Sequence, residues 1–141
     1  MMEDGWDGLM CVPEVGVWLI RRLGMRVEVG ISAGLTRAQE EERLQSLQPW
    51  SDLIECVHLP YSLSGRRLNV AALDDAWRRQ SLDMVIHALG WAGRTGAPKV
   101  VIHTAPCRWN GEIVGEYERL VDGVRELAKE AERHRILICL E

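Results

Sequence analysis

Two imidazoles and a carboxylate each follow a short apolar run: His58 in ECVHLPY, His103 in KVVIHTA and Glu141 in RILICLE. His and Glu are ligands for zinc and for manganese-like divalent ions. Near pH 7 the carboxylate is ionised and the imidazoles are largely neutral, as ligation requires. Tyr61, close behind His58, adds a phenol suited to a substrate hydroxyl. Taken singly, each residue has a plainer role. A histidine after a strand is commonly a capping or hydrogen-bonded core residue, and a terminal Glu is commonly a solvated end. The repeat of one placement across three separate runs is what favours a shared site. The other two histidines, His87 and His134, fall within or at the end of helical patterns and read as structural.

Elements must bring these residues together. Four segments read as strands: residues 25–31, 53–59, 99–105 and 135–140. They are short, and three are apolar at both alternating positions, as in parallel strands covered on both faces. Helical patterns lie between them at residues 13–24, 36–47, 73–96 and 112–133. Pro13 suits a first helical turn, Thr36 a cap, and Gly24 and Gly96 helix ends. In the last helix, Ile113, Tyr117, Leu120, Val124, Leu127 and Ala131 recur every three or four residues and predict a stripe facing a sheet. Residues 8–12 are too short to assign and are compatible with the tail of an earlier strand. Strict alternation of helix and strand predicts an α/β chain built on a parallel sheet. Ligands of such sheets gather at the C-terminal ends of the strands, where His58, His103 and Glu141 fall.

Composition narrows the classes. The chain has 141 residues, 47% of them hydrophobic and 27% charged, which fits one globular domain or a piece of one. A net charge of −4 argues against nucleic acid as a partner. No run reaches the roughly 18 apolar residues of a membrane span, and the start lacks the basic and apolar regions of a signal peptide. The four cysteines (Cys11, Cys56, Cys107 and Cys139) form no CxxC pair. They read as small core residues in a reducing compartment, and the expected location is cytoplasmic. No Walker loop and no GxGxxG between strand and helix is present. Of the six tryptophans, Trp77 and Trp91 fall inside a helix and read as core. Trp109, in the loop after the third predicted strand, is the one placed to stack on a sugar face.

At these residues the chain resembles the xylose-isomerase-like TIM barrels, a group that holds sugar phosphate isomerases and epimerases and the zinc-dependent AP endonucleases. The similar stretches are RRLGMRVEVGI, ECVHLPYS, LDDAWRRQSLDMVIHALGWAGRTGAPKVVIHTAP and YERLVDGVRELAKEAERHRILICLE, nearly the whole chain from Pro13. Family members commonly carry His-x-Pro-Tyr, His-Pro-Gly and Glu-Asn after three successive strands. Here these become His58-Leu59-Pro60-Tyr61, His103-Thr104-Ala105 and Glu141. The resemblance implies a partial (βα)8 barrel, about its first five strands, with residues 1–141 as the N-terminal part of one domain. It implies Glu141 as a catalytic metal ligand, with His103 and His58 as further ligands in the endonuclease branch. The ion would be Mn, Mg, Co or Zn. His58, Tyr61 and Trp109 would hold the substrate, a small sugar or polyol.

Three functions follow as expectations. The first is a metal-dependent sugar or sugar phosphate isomerase or epimerase, inactive as a fragment. The second is a zinc-dependent phosphodiesterase acting on abasic DNA. The third is a chain without catalysis until completed. A half barrel also leaves its last strand unpaired, and residues 136–140 are apolar and free of Pro and charge. The isolated chain is therefore expected to pair through that edge, as a homo-oligomer or an aggregate.

Overall fold

The computed structural model describes residues 14–103 and 107–141, the first four by backbone alone. Residues 8–12, and the predicted strand end at Thr104 and Ala105, lie outside the described residues. In chain order the elements are α1 (Glu14–Arg22), β1 (Val27–Gly30), α2 (Arg37–Leu47), a 3-10 turn (Gln48–Trp50), β2 (Ile54–His58), β3 (Ser62–Leu63), β4 (Arg66–Arg67), α3 (Asp75–Thr95), β5 (Lys99–Ile102), β6 (Arg108–Trp109), β7 (Glu112–Ile113), α4 (Tyr117–His134) and β8 (Leu137–Leu140). The main sheet is parallel, in the order β1-β2-β5-β8. Spatial order follows chain order, and a helix joins each neighbouring pair of strands. That is the repeating βα unit of a barrel wall.

Local chemistry sets the helix ends. Thr36 and Gln39 form a capping box at the start of α2. Asp74 accepts from the Trp77 N–H at the start of α3, and Gly96, at φ 78°, ends that helix in the left-handed region. α4 ends on Arg135, also left-handed at φ 56°. The last strand therefore starts at Leu137, two residues later than predicted, and Ile136 is a buried link.

The start of α4 differs more. Residues 108–113 form a β6–β7 hairpin, so Glu112 and Ile113 are strand where helix was expected and the helix begins at Tyr117. Its turn is Asn110-Gly111, both with positive φ (48° and 85°), the residue pair that a two-residue hairpin turn prefers. Ile113 and Tyr117 consequently leave the apolar stripe and stand 60% and 72% exposed. Leu127 and Ala131 remain buried on it. Ser64-Gly65 makes a similar turn between β3 and β4.

Helices cover one face of the sheet. Val57 and Val100 on that face are fully buried, as are Leu82 and Leu89 of α3. α3 and α4 approach closely at Gly93. A Cβ there would stand 2.9 Å from His134 Nδ1, so the imidazole fills the space that the glycine leaves. His134 also faces Glu130 at 3.2 Å, and His87 Nε2 meets Glu40 of α2 at 2.6 Å. Both histidines tie helical elements together. Trp77 and Trp91 are buried, with indole N–H groups donating to the Arg67 and Glu40 carbonyls.

The other face departs from the sequence expectation. Glu28 is exposed, and Cys56, Val101 and Cys139 are only half-buried. The strands are apolar on both sides, yet among the described residues no layer of helices covers this face. Cys56 and Cys139 are therefore not deep core residues. Partial burial and the nearby Glu28 still push the Cys56 thiol up to about 11, so it stays protonated and unreactive at neutral pH. Leu137 and Leu140 on the edge strand are 61% and 51% exposed.

Candidate metal centre

Backbone pairing carries the register beyond the strand ends and delivers three side chains to one rim. His58 is the last residue of β2 and pairs with Val101 of β5. His103 lies two residues beyond Val101, hence on the same face. Val101 pairs with Cys139, and Glu141 lies two residues beyond that. The Glu141 N–H donates to the Ile102 carbonyl at 3.0 Å, and the Leu59 N–H to the Val101 carbonyl at 2.9 Å. Hydrogen bonds to neighbouring strands thus hold the backbone at or beside each polar residue.

The donor atoms converge. Glu141 Oε2 lies 3.4 Å from His58 Nε2 and 3.8 Å from His103 Nδ1. One donor atom from each of His58, His103 and Glu141 falls within 4.8 Å of the others. Ligands about 2.1 Å from a tetrahedral ion lie roughly 3.4 Å apart. Two nitrogens and one carboxylate oxygen at these separations fit zinc or a manganese-like ion as three protein ligands, with further positions left for water or substrate. The imidazole centroids stand 4.7 Å apart at 52°. Burial, followed by the neighbouring His58, holds the His103 pKa below the ordinary histidine value. A lowered pKa keeps His103 neutral, the state that binds metal.

Around the donors is a cavity of about 550 Å³, lined among others by Tyr61, Ser62, Ser64 and Glu28. Tyr61 meets the His103 ring edge-on, with centroids 5.5 Å apart. Gly30, paired with His58 on β1, presents no side chain and leaves that flank open. Trp109 does not line this cavity. It stands 48% exposed on the β6–β7 hairpin, with the Arg67 guanidinium 4.8 Å from its ring centroid. Sequence reasoning passed over Ser62 and Ser64. The signal was the Ser64-Gly65 turn, which folds the segment after Tyr61 back over the rim.

No protein-family model and no curated protein matches the sequence. Solved structures do. A xylose isomerase domain protein from Planctomyces limnophilus is similar at a TM-score of 0.61 and 15% identity, over 88% of this chain and 48% of its own. The TTHB071 protein of Thermus thermophilus, from a crystal soaked with zinc chloride, is similar at 0.60 and 22% identity, over 93% and 52%. A D-tagatose 3-epimerase-like protein is similar at 0.55 and 18% identity, over 80% and 43%. The chain thus spans about half the length of the structures it matches. The class these likenesses define is the (βα)8 barrel, of which the four-stranded parallel sheet is a part. Within that class, these likenesses are ones of fold, at 15–22% identity. Among the described residues no helix is long and apolar enough to cross a membrane.

Proposed function

We propose that this chain is the metal-binding portion of an isomerase or epimerase acting on a small sugar, sugar phosphate or polyol. One observation carries the reading: His58, His103 and Glu141 meet at the strand-end rim of a fold shared with an epimerase-like barrel. The three side chains would hold a divalent ion, Mn, Mg, Co or Zn. When bound, the ion supplies Lewis-acid stabilisation of charge on substrate oxygens. Glu141 spans both imidazoles and fixes the donor spacing. The Tyr61 hydroxyl and Ser62 are positioned to hydrogen-bond sugar hydroxyls in the cavity. The groups that move the proton would come from the rest of the barrel. A cytoplasmic location and a homo-oligomeric state belong to the same proposal.

The test is exchange of a substrate C–H with deuterated solvent in the intact barrel, followed by NMR with aldose and ketose substrates. Metal-dependent exchange that Glu141→Gln abolishes is expected. Metal-independent exchange, or none with any sugar, would overturn the reading. A second reading has an observation of its own: two imidazoles on one carboxylate also suit a zinc phosphodiesterase acting on abasic DNA. Zinc-dependent cleavage of an abasic duplex without sugar turnover would select it. The isolated chain itself is proposed to be inactive until the barrel is completed.

A further inference from the structure

Among the described residues both edges of the main sheet lack a neighbouring strand, β1 at one end and β8 at the other. Natural sheet edges are usually blunted by charge, proline or a covering element. β8 carries neither charge nor proline. It reads Leu-Ile-Cys-Leu, and both of its leucines stand more than half exposed.

The β1 edge has the complementary shape. The cavity of about 550 Å³ runs along it, and residues 27–31 all line it, with Leu47 and Trp50 beside them. Successive residues of a strand point to opposite faces. A cavity that touches five in a row is therefore open along the strand's edge, where another strand would lie. α1 leads into β1 and adds apolar surface: Trp18 and Leu19 on the helix and Leu23 just after it are 57%, 48% and 62% exposed. In an outer ring where helices alternate with strands, α1 falls over the gap before β1. A largely apolar groove and an apolar helix face thus border the same open edge.

We infer that a second copy of this chain fills that gap. Its β8 lies parallel to β1, its own β1 receives the β8 of the first copy, and two four-stranded sheets close one eight-stranded barrel about a two-fold axis. Three observations favour a second copy as the occupant. The sheet is parallel throughout, so a copy turned about the barrel axis brings β8 to β1 with the polarity of a barrel wall. Four strands are half of the eight in such a barrel, and the chain spans 43–52% of the barrels it matches. The exposed strand and the open groove belong to one molecule, so a closed pair satisfies every edge of both sheets. His58, His103 and Glu141 of both copies would then face one mouth. For the site this rests on the function proposed above: the groups that move the proton would come from the second copy's rim.

Sedimentation equilibrium of the metal-free chain is expected to show a species of twice its 16.0 kDa mass. Cross-linking then reads the arrangement. In a chain whose four cysteines are replaced by alanine, Glu28→Cys and Leu137→Cys mark the two edges. A short bis-maleimide is expected to join the mixed variants into covalent pairs and to join neither variant to itself. A chain carrying both substitutions is expected to stop at the covalent dimer, since a closed barrel leaves no free edge. A monomer would mean that other residues of the same chain fill the groove, and would overturn the inference. Leu137→Cys joined to itself, the mark of β8 against β8, would overturn it, as would a ladder of species beyond the dimer. Sedimentation uses the unsubstituted chain, so it decides even where a cysteine variant fails to fold. Neither readout needs metal or sugar, so both stand apart from the metal reading, which fails separately if Glu141→Gln leaves zinc affinity unchanged.

Discussion

On the helix-covered face of the sheet, Val57 and Val100 are wholly out of water and packed beneath Leu82 and Leu89. On the opposite face, one residue along the same strands, Cys56 and Val101 are half-exposed, and the edge residue Leu137 is 61% exposed. Both faces are drawn from the same alternating apolar runs. The difference lies in what each face meets. The covered face meets helices a few residues away in sequence, so α2, α3 and α4 complete it locally. The open face belongs to a barrel interior, which only distant strands can close. Stability thus concentrates on one side of the sheet, while the donor cluster sits at the rim of the other.

The comparison is broken or sharpened by substitution. Leu89→Ala removes a fully buried side chain from the covered layer and should cost about 2–5 kcal/mol. Urea denaturation of Leu89→Ala beside Val101→Ala checks this. A loss at Val101 as large as at Leu89 would show that both faces carry stability equally. Next in size is Ser81→Ala. Ser81 is fully buried and its hydroxyl accepts the Asn69 N–H at 2.9 Å, while the Asn69 side chain accepts from the Ala71 N–H at 2.8 Å. Leaving that buried donor unpaired should cost about 1–3 kcal/mol in the same assay, and a neutral result would mean that the segment from β4 to α3 relaxes freely.

A smaller effect belongs to the rim. The folded His103 pKa lies below its ordinary value, so between the two the unfolded chain binds more protons. Its contribution to stability is therefore complete above the unfolded-state pKa and is lost as pH falls toward the folded one. Melting temperatures from pH 8 down to pH 5 should show a shallow acid decline that His103→Gln flattens. An unchanged slope would place the titrating group elsewhere. Smallest in folding energy is Leu137→Ser, expected to alter stability by no more than about 0.5 kcal/mol. Because Leu137 lies on the exposed edge strand, sedimentation of the isolated chain should nevertheless show less self-association. Unaltered association would remove that edge from consideration.

Much of this was legible in the sequence. Pro98 and Gly96 bracket the start of β5, Pro49 and Pro60 bracket β2, and the apolar runs between such breakers became strands in the expected order. The rim residues were readable because strand ends in parallel sheets are where ligands gather, and no geometry was needed to place His58, His103 and Glu141 there. The hairpin at residues 108–113 was hidden by a coincidence of period. Ile113 and Tyr117 continue the spacing of Leu120 and Val124, so the helical stripe masked the Asn110-Gly111 turn. The pairing of Gly93 with His134 was not readable either, since it depends on how two helices cross. Nor was the open face, because an apolar strand residue looks alike whether a helix or the far wall of a barrel covers it.

The hydrogen bond from the Glu141 N–H to the Ile102 carbonyl has an evolutionary consequence. Glu141 and His103 each follow directly on one of two paired strands, whose register sets their spacing. The hairpin bearing Tyr61, Ser62 and Arg67 is a separate two-stranded unit that can lengthen, shorten or change its side chains while the donor atoms keep their places. The lining of the cavity can therefore drift among descendants of this chain without each step having to rebuild the cluster of His58, His103 and Glu141.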